Sequence, residues 1–235
     1  MKALVLAAGE GKRLRPFTDT IPKPMIQVGG KPIIQHNIEL LARHGFDKIF
    51  INLHYQPAAI VDALGDGRRF GVSIAYSYEE RLLGTAGAAD KLARELDGAF
   101  LLVYGDNLSD INLTALRALH EKRDAAATIA VFKRADVAQS GVVGINDNGK
   151  VYAFQEKPRP DRAFSNWVNA GYIFFSERVF KYIPQDSPSD FGRDVLPMML
   201  EAGERLWAYR MQEKLWWIDS LADYERTLRE FEEPA

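Results

Sequence analysis

Four cations follow two glycines near the start of the chain: Lys12, Arg13, Arg15 and Lys23 come after Gly9 and Gly11. That combination suits phosphate. Glycine lets a main chain turn and approach a ligand closely, and successive N–H groups in such a turn can cradle phosphate oxygens. Arginine offers a planar fork of donors and lysine a point charge. The glycines alone leave two readings open, since a lone G-x-G is equally at home in a tight turn. Two familiar loops are excluded. A dinucleotide fingerprint needs a third glycine at position 14, which is Leu14, and the G-x-x-x-x-G-K-[ST] pattern of a P-loop is absent.

Two aspartates, 113 residues apart, are further candidates, and the sequence alone does not show that they meet. Asp106 follows an apolar run and Gly105, and Asp219 follows Trp216-Trp217-Ile218. Each alone reads as a turn or capping residue. Softer metal chemistry has no candidates: there is no cysteine, which excludes disulfides, thiolate zinc and thiol catalysis. His36, His44, His54 and His120 are scattered and read as structural or surface residues. Further along, Glu156-Lys157-Pro158 reads on its own as an exposed charge pair ending a strand. Trp167, Trp207, Trp216 and Trp217 read mostly as core.

These residues must be carried by a scaffold, and the apolar pattern supplies one. Lys2 to Ala8 is a short continuous apolar run ending at glycine, as in a strand buried on both faces. Lys31 to Gly45 reads as a helix, Lys48 to Leu53 as a strand, Gln56 to Leu64 as a helix, Val72 to Ser77 as a strand, Thr85 to Leu96 as a helix and Ala99 to Tyr104 as a strand. This alternation predicts an α/β fold, a Rossmann-like three-layer sandwich with a mostly parallel central sheet. Ligands in such sheets collect at the carboxyl ends of strands, where Gly9 to Gly11 and Gly105-Asp106 both fall. The second half predicts a small antiparallel elaboration. It has a helix at Leu113, Leu116 and Leu119, a strand over Ala127 to Phe132, and a hairpin turning at Asn146 to Gly149. A strand over Trp167 to Phe175 follows, then a helix over Asp190 to Glu201 kinked at Pro197. The stripe Leu221, Tyr224, Leu228, Phe231 marks a last helix. With no linker or repeat, residues 1–235 read as a single domain.

The bulk numbers fit. Hydrophobic residues make up 47% and charged residues 26%, and the formal net charge is -2, so there is no global electrostatic case for nucleic acid or an acidic membrane. The apolar run from Met1 to Gly9 is too short for a signal peptide, and no stretch of about 18 apolar residues predicts a membrane helix. The expectation is a cytoplasmic protein.

The longer pattern is more specific than its glycines. Gly9, Gly11, Arg13, Leu14, Pro16 and Thr18, then Pro22-Lys23-Pro24, place nine specified positions within 16 residues. This resembles the signature of the sugar-1-phosphate nucleotidyltransferases. The resemblance continues in family order through Leu83 to Ala88, Gly105-Asp106, Gly141 to Val143, Glu156-Lys157-Pro158, Asn169 to Gly171 and Trp217 to Asp219. It implies a nucleotide-diphospho-sugar transferase type of fold and a reaction in which a nucleoside triphosphate and a sugar 1-phosphate give a nucleotide sugar and pyrophosphate. Arg13, Lys23 and Asp106 would be catalytic. Leu6, Ala8, Gly9, Gly11, Lys12, Arg13, Gly84, Thr85 and Gly87 would bind the nucleotide, with Thr85 and Gly87 near the base. Gly141, Glu156, Lys157 and Asn169 would bind the sugar phosphate. Asp106 and Asp219 would hold Mg²⁺, which accepts one or two carboxylates alongside phosphates and waters.

Two departures stand out. Asp219 to Tyr224 lacks the glycine turn usual after the second aspartate, which makes Asp223 the helix-start residue, and Ser140 stands where many members carry tyrosine. Leu83-Gly-Thr-Ala-Gly87 resembles the guanylyltransferases for mannose or heptose 1-phosphate more than the uridylyl- or thymidylyltransferases. The expected substrates are therefore GTP with such a sugar 1-phosphate, with UTP or dTTP as the alternative. Two other classes remain, a non-catalytic nucleotide-sugar sensor and a dinucleotide-binding oxidoreductase. The retained Arg13, Lys23 and Asp106 count against the first, and Leu14 counts against the second. No nucleic acid or membrane partner is expected, and a homo-oligomer is left open.

Overall fold

The computed structural model describes residues 1–185 and 187–232. Its strands are β1 (Lys2–Leu6), β2 (Lys48–Leu53), β3 (Ser73–Tyr78), β4 (Phe100–Tyr104), β5 (Ala127–Lys133), β6 (Gly141–Ile145), β7 (Val151–Glu156), β8 (Trp167–Phe175) and β9 (Leu206–Arg210). Its helices are α1 (Ile33–Arg43), α2 (Pro57–Leu64), α3 (Gly84–Asp90), α4 (Leu113–Arg123), α5 (Leu196–Glu201) and α6 (Leu221–Glu232). The architecture is mixed α/β with a large, mostly parallel central sheet and small antiparallel sheets. The chain forms two compact units, the first comprising Met1–Leu82, Val103–Ile111 and Glu213–Ala235, the second Leu83–Leu102 and Asn112–Gln212.

In the first unit β1 pairs parallel with β2, and β2 parallel with β3. Ala3, Leu4 and Val5 are wholly buried, which explains the unbroken apolar run: a central strand has no solvent face to alternate with. Helix α1 buries Ile33, Ile34, Ile38 and Leu41. It ends in a Schellman motif, with Phe46 N–H donating to Leu41 O and Gly45 N–H to Ala42 O, both at 3.0 Å, and with Gly45 at φ 78.

In the second unit β5 lies between antiparallel β8 and parallel β9, while β6 pairs antiparallel with β7 and β8. The predicted hairpin turn forms: Gly149 N–H donates to Asn146 O at 2.9 Å and Lys150 N–H to Asn146 Oδ1 at 2.8 Å. The predicted helix over Thr85 to Leu96 stops at Asp90. Beyond it Leu92 and Ala93 donate to the carbonyls three residues back, so the chain tightens into turns. The kink expected at Pro197 takes a definite form. Phe191–Val195 is a π-turn leading into α5, with the proline in the first turn of that helix. Proline cannot donate to the ladder, and a widened turn ahead of it accommodates the loss. The tryptophan expectation is corrected: Trp216 is 9% exposed, whereas Trp167, Trp207 and Trp217 are half-buried with cations over their rings. Tryptophan's indole tolerates a wet edge, and its face attracts a cation.

Candidate functional site

The glycine loop leaves the end of β1 in the first unit. Ala7 N–H donates to Asn52 Oδ1 at 2.8 Å, and Asn52 Nδ2 donates to Glu79 Oε1 at 2.8 Å. Asn52 is 4% exposed and Glu79 6%. This buried relay, from the ends of β2 and β3, fixes where the loop begins. Leu6 closes the other side, its carbonyl accepting from Gly105 N–H at 2.9 Å. Gly105 has to be a glycine, because a Cβ there would lie 2.8 Å from Leu6 O. The tips carrying Ala8-Gly9 and Asp106 are thereby drawn together.

Within the loop Gly11 adopts φ 64. Its carbonyl accepts from Leu14 N–H at 2.9 Å and from the Thr18 hydroxyl at 2.8 Å. Leu14 is buried in a cluster with Ile26, Val28, Ile33, Leu108, Trp216 and Ile218. An apolar anchor thus holds a loop whose cations face outward. Lys12 and Arg13 are largely exposed, and Lys12 pairs with Glu10 at 3.2 Å.

Lys23 is different. It is 6% exposed, and its ammonium donates to Asp106 Oδ2 at 2.7 Å and Asp219 Oδ1 at 3.3 Å. Arg13 reaches Asp219 Oδ1 at 3.0 Å. The two aspartates, far apart in sequence, therefore meet. A miniature antiparallel pairing brings them together: Leu108 opposite Trp216 and Ser109 opposite Leu215. Two-residue strands carry no readable periodicity, so no sequence signal marked this clasp. Next to Asp219, the Ser220 hydroxyl accepts from Asp223 N–H and donates to the Asp223 carboxylate. This caps α6 and makes Asp223 the helix-start residue expected.

The electrostatics follow from the geometry. Burial works against the Lys23 charge, but Asp106 and then Asp219 outweigh it and raise its pKa above the usual lysine value. Burial likewise works against the Asp106 carboxylate, and Lys23, with a smaller share from Arg13, outweighs it and lowers that pKa. Both groups are therefore charged at neutral pH and unsuited to proton transfer. Mg²⁺ fits these residues: two hard carboxylates turn toward one point, now filled by an ammonium, with one third of the Asp106 side chain and about a quarter of the Asp219 side chain exposed for further ligands. No group of three or more Asp, Glu, His or Cys is placed to hold a metal among the described residues, so phosphate oxygens or waters would complete the set.

The other predicted residues lie in the second unit. Gly84, Thr85 and Gly87 pack on Ser189–Phe191. A Cβ at Gly84 would lie 2.3 Å from Ser189 O. The Thr85 hydroxyl donates to Asp190 Oδ1 at 3.1 Å and accepts from Phe191 N–H at 2.9 Å. Glu156 ends β7, with Lys157 Nζ 3.6 Å from its Oε1. Lys157 has φ 46, and its N–H is held by Ser140 O at 3.1 Å. Gly141 leaves room for the Phe154 ring and for Glu156 Oε2, which a Cβ would meet at 2.6 and 3.0 Å. Asn169 sits at a register shift in β8, its Oδ1 accepting from Gly171 N–H at 2.9 Å. Asn52, Glu79 and Gly105's close approach were not marked by the sequence reading.

Known proteins resemble this chain in sequence and fold. The family model described as Nucleotidyl transferase matches residues 2–224. The UTP--glucose-1-phosphate uridylyltransferase of Synechocystis sp. is 39% identical, over 97% of this chain and 63% of the relative. The mannose-1-phosphate guanylyltransferase catalytic subunit beta of Danio rerio is 33% identical, over 93% of this chain and 61% of the relative. The chain thus spans somewhat over three fifths of the length of these relatives. A crystal structure of UDP-glucose pyrophosphorylase complexed with UDP-glucose superposes with a TM-score of 0.84 at 21% identity, covering 98% of this chain and 97% of that one, a likeness of fold. No helix among the described residues is long and apolar enough to cross a membrane.

Proposed function

The chain belongs to the nucleotidyl transferase family, and from that premise we propose that it transfers a nucleoside monophosphate from a nucleoside triphosphate to a sugar 1-phosphate, releasing pyrophosphate. The observation that carries this reading is the convergence of Arg13, Lys23, Asp106 and Asp219 beside a glycine loop at the carboxyl end of a central strand. Arg13 and Lys12 hold the outer phosphates, and the main chain of Gly9 to Gly11 lies against them. Lys23 sits by the α-phosphate. Lys157 receives the phosphate of the sugar, and Glu156 and Asn169 take its hydroxyls. An oxygen of the sugar phosphate attacks the α-phosphorus in line, and pyrophosphate departs from the opposite side. The nucleophile is already an anion, so no base is needed, which agrees with a Lys23–Asp106 pair whose shifts keep both charged. Catalysis is positioning plus charge neutralisation. Asp106 and Asp219 would hold Mg²⁺, which supplies charge neutralisation at the phosphate oxygens.

For the substrate pair, the Leu83 to Gly87 motif supports GTP with mannose 1-phosphate or a heptose 1-phosphate, and Thr85 and Gly87 are the residues assigned to the base. The 39% identity to a uridylyltransferase supports UTP with glucose 1-phosphate as the second reading. Pyrophosphate release, measured with Mg²⁺ over GTP, UTP, dTTP and ATP against a panel of sugar 1-phosphates, decides between them. Release from none of the pairs would discard the transfer reaction and favour a non-catalytic nucleotide-sugar sensor.

A further inference from the structure

The carboxylate of Glu156 is held by an absence of atoms. Its Oε1 has Lys157 Nζ at 3.6 Å. Its Oε2 receives no hydrogen bond among the described residues and lies instead between two glycines. A Cβ on Gly141 would stand 3.0 Å from Oε2, and a Cβ on Gly192 would stand 2.5 Å from Oε2 and 3.3 Å from Cδ. The side chain is a quarter exposed, so the unbonded oxygen can reach a ligand. An acceptor left unpaired in a partly desolvated place is costly unless something donates to it.

Gly192 is fixed from several directions. It is the second residue of the π-turn Phe191–Val195 that precedes Pro197. Phe191 is fully buried and stacks on Phe175 with ring centroids 4.5 Å apart. Asp190 N–H donates to Asp194 Oδ2 at 2.7 Å, and Phe191 N–H to the Thr85 hydroxyl at 2.9 Å. The main chain at Gly192 cannot retreat, whereas the end of a glutamate side chain can. Gly192 is also not among the glycines with positive φ, so its backbone accepts a side chain without strain, and alanine favours helix over glycine. The whole cost of a methyl group there falls on where Glu156 points, and to a smaller degree on the Phe154 ring, 3.1 Å away.

We propose that Gly192 is a positioning residue for the sugar 1-phosphate: its missing side chain is the seat that aims Glu156 Oε2 at the sugar hydroxyls. The proposal rests on the reading of Glu156 as the hydroxyl acceptor. It also gives the π-turn a purpose, since the widened turn required ahead of Pro197 brings a bare main-chain segment against the carboxylate.

Gly192→Ala should raise KM for the sugar 1-phosphate about 10–100-fold, as for a misplaced charged hydrogen-bonding group. KM for the nucleoside triphosphate should not move, and the melting midpoint should stay within about 2 °C of the parent. In a Glu156→Ala background the same substitution should add nothing, because its effect passes through the carboxylate. An unchanged KM, or a loss that adds in full to that of Glu156→Ala, overturns the proposal. A crystal structure of Gly192→Ala gives an answer independent of turnover: Oε2 should be displaced, and a carboxylate found in its parental place overturns the proposal. If the parent protein turns over no substrate pair, it is the transfer reaction that fails, and the position of the carboxylate still decides the role of Gly192.

Discussion

Two carboxylates are held in opposite ways in the two units. Asp106 in the first is gripped by charge, with the Lys23 ammonium at 2.7 Å and a smaller contribution from Arg13. Glu156 in the second is shaped by space, one oxygen lying where Gly141 and Gly192 lack side chains. A grip of charge strengthens in a low dielectric and keeps both partners ionised. It suits groups that must meet phosphate and stay charged throughout a reaction. A seat of space leaves an acceptor unpaired, which on the proposed function suits neutral hydroxyls whose number and geometry differ between sugars. The first arrangement fits chemistry common to a family, and the second fits selection among substrates.

The sharpest way to break this comparison is to remove the grip. Lys23→Ala or Asp106→Ala should lower kcat by about 10²–10³-fold, the range for a lost transition-state charge partner, while the protein remains folded. Glu156→Ala should act mainly on KM for the sugar 1-phosphate. If Lys23→Ala changed only KM, the first cluster would be a binding device like the second, and the division would fall.

A smaller effect separates the two glycines of the loop. A Cβ on Gly9 meets nothing within 4 Å, whereas one on Gly11, at φ 64, meets Lys23 Cβ at 2.9 Å and Thr18 Cγ2 at 3.0 Å. Gly11→Ala should therefore cost about 2–4 kcal/mol of stability from left-handed strain and overpacking, read as a lower urea midpoint. Gly9→Ala should leave that midpoint in place and, on the proposed function, weaken nucleoside triphosphate binding, because its side chain would occupy the open space beside Gly9. Equal melting behaviour for the two variants would count against Gly11 as the structural member.

Charge was legible in the sequence and space was not. Arg13, Lys23, Asp106 and Asp219 advertise themselves by type and order, and β2 and β8 were bounded correctly by their apolar runs. Strand β9, five residues long with half-buried Trp207 and Tyr209, was overlooked beside the helix before it. The clasp at Leu108–Ser109 and Leu215–Trp216 is too short to have a period. Gly192 has no signature at all, because a glycine that yields room to a distant residue looks the same as one that ends a turn. Asn52 reads as one polar residue inside a strand, and its part in fixing Ala7 depends on the parallel register of β1 and β2.

The mildest test sets the two units apart by acid. His120 on α4 is 5% exposed and contacts the Thr128 hydroxyl at 3.0 Å. Burial first, and Arg178 second, push its pKa down to about 4 from 6.5. The folded protein thus keeps this histidine neutral while the unfolded chain protonates it below about pH 6.5. The unfolded state then binds more protons, so stability falls as pH drops from 6.5 toward 4. Between pH 7.5 and 5 the loss should be about 2 kcal/mol. His44 in the first unit leans the same way through burial and Arg43, with a smaller share because it is less buried. Over this range the grip on Asp106 is untouched: its pKa lies below the usual carboxylate value of 3.8, so the stability it contributes is present above that pH and is lost only as pH falls through the lowered value. Hydrogen exchange at pH 7.5 and 5 should show protection lost first around α4 and β5 and retained at the ends of β1 and β4. His120→Gln should flatten the pH dependence of the urea midpoint. A slope as steep as the parent's would assign the acid sensitivity to another group and remove this distinction between the two units.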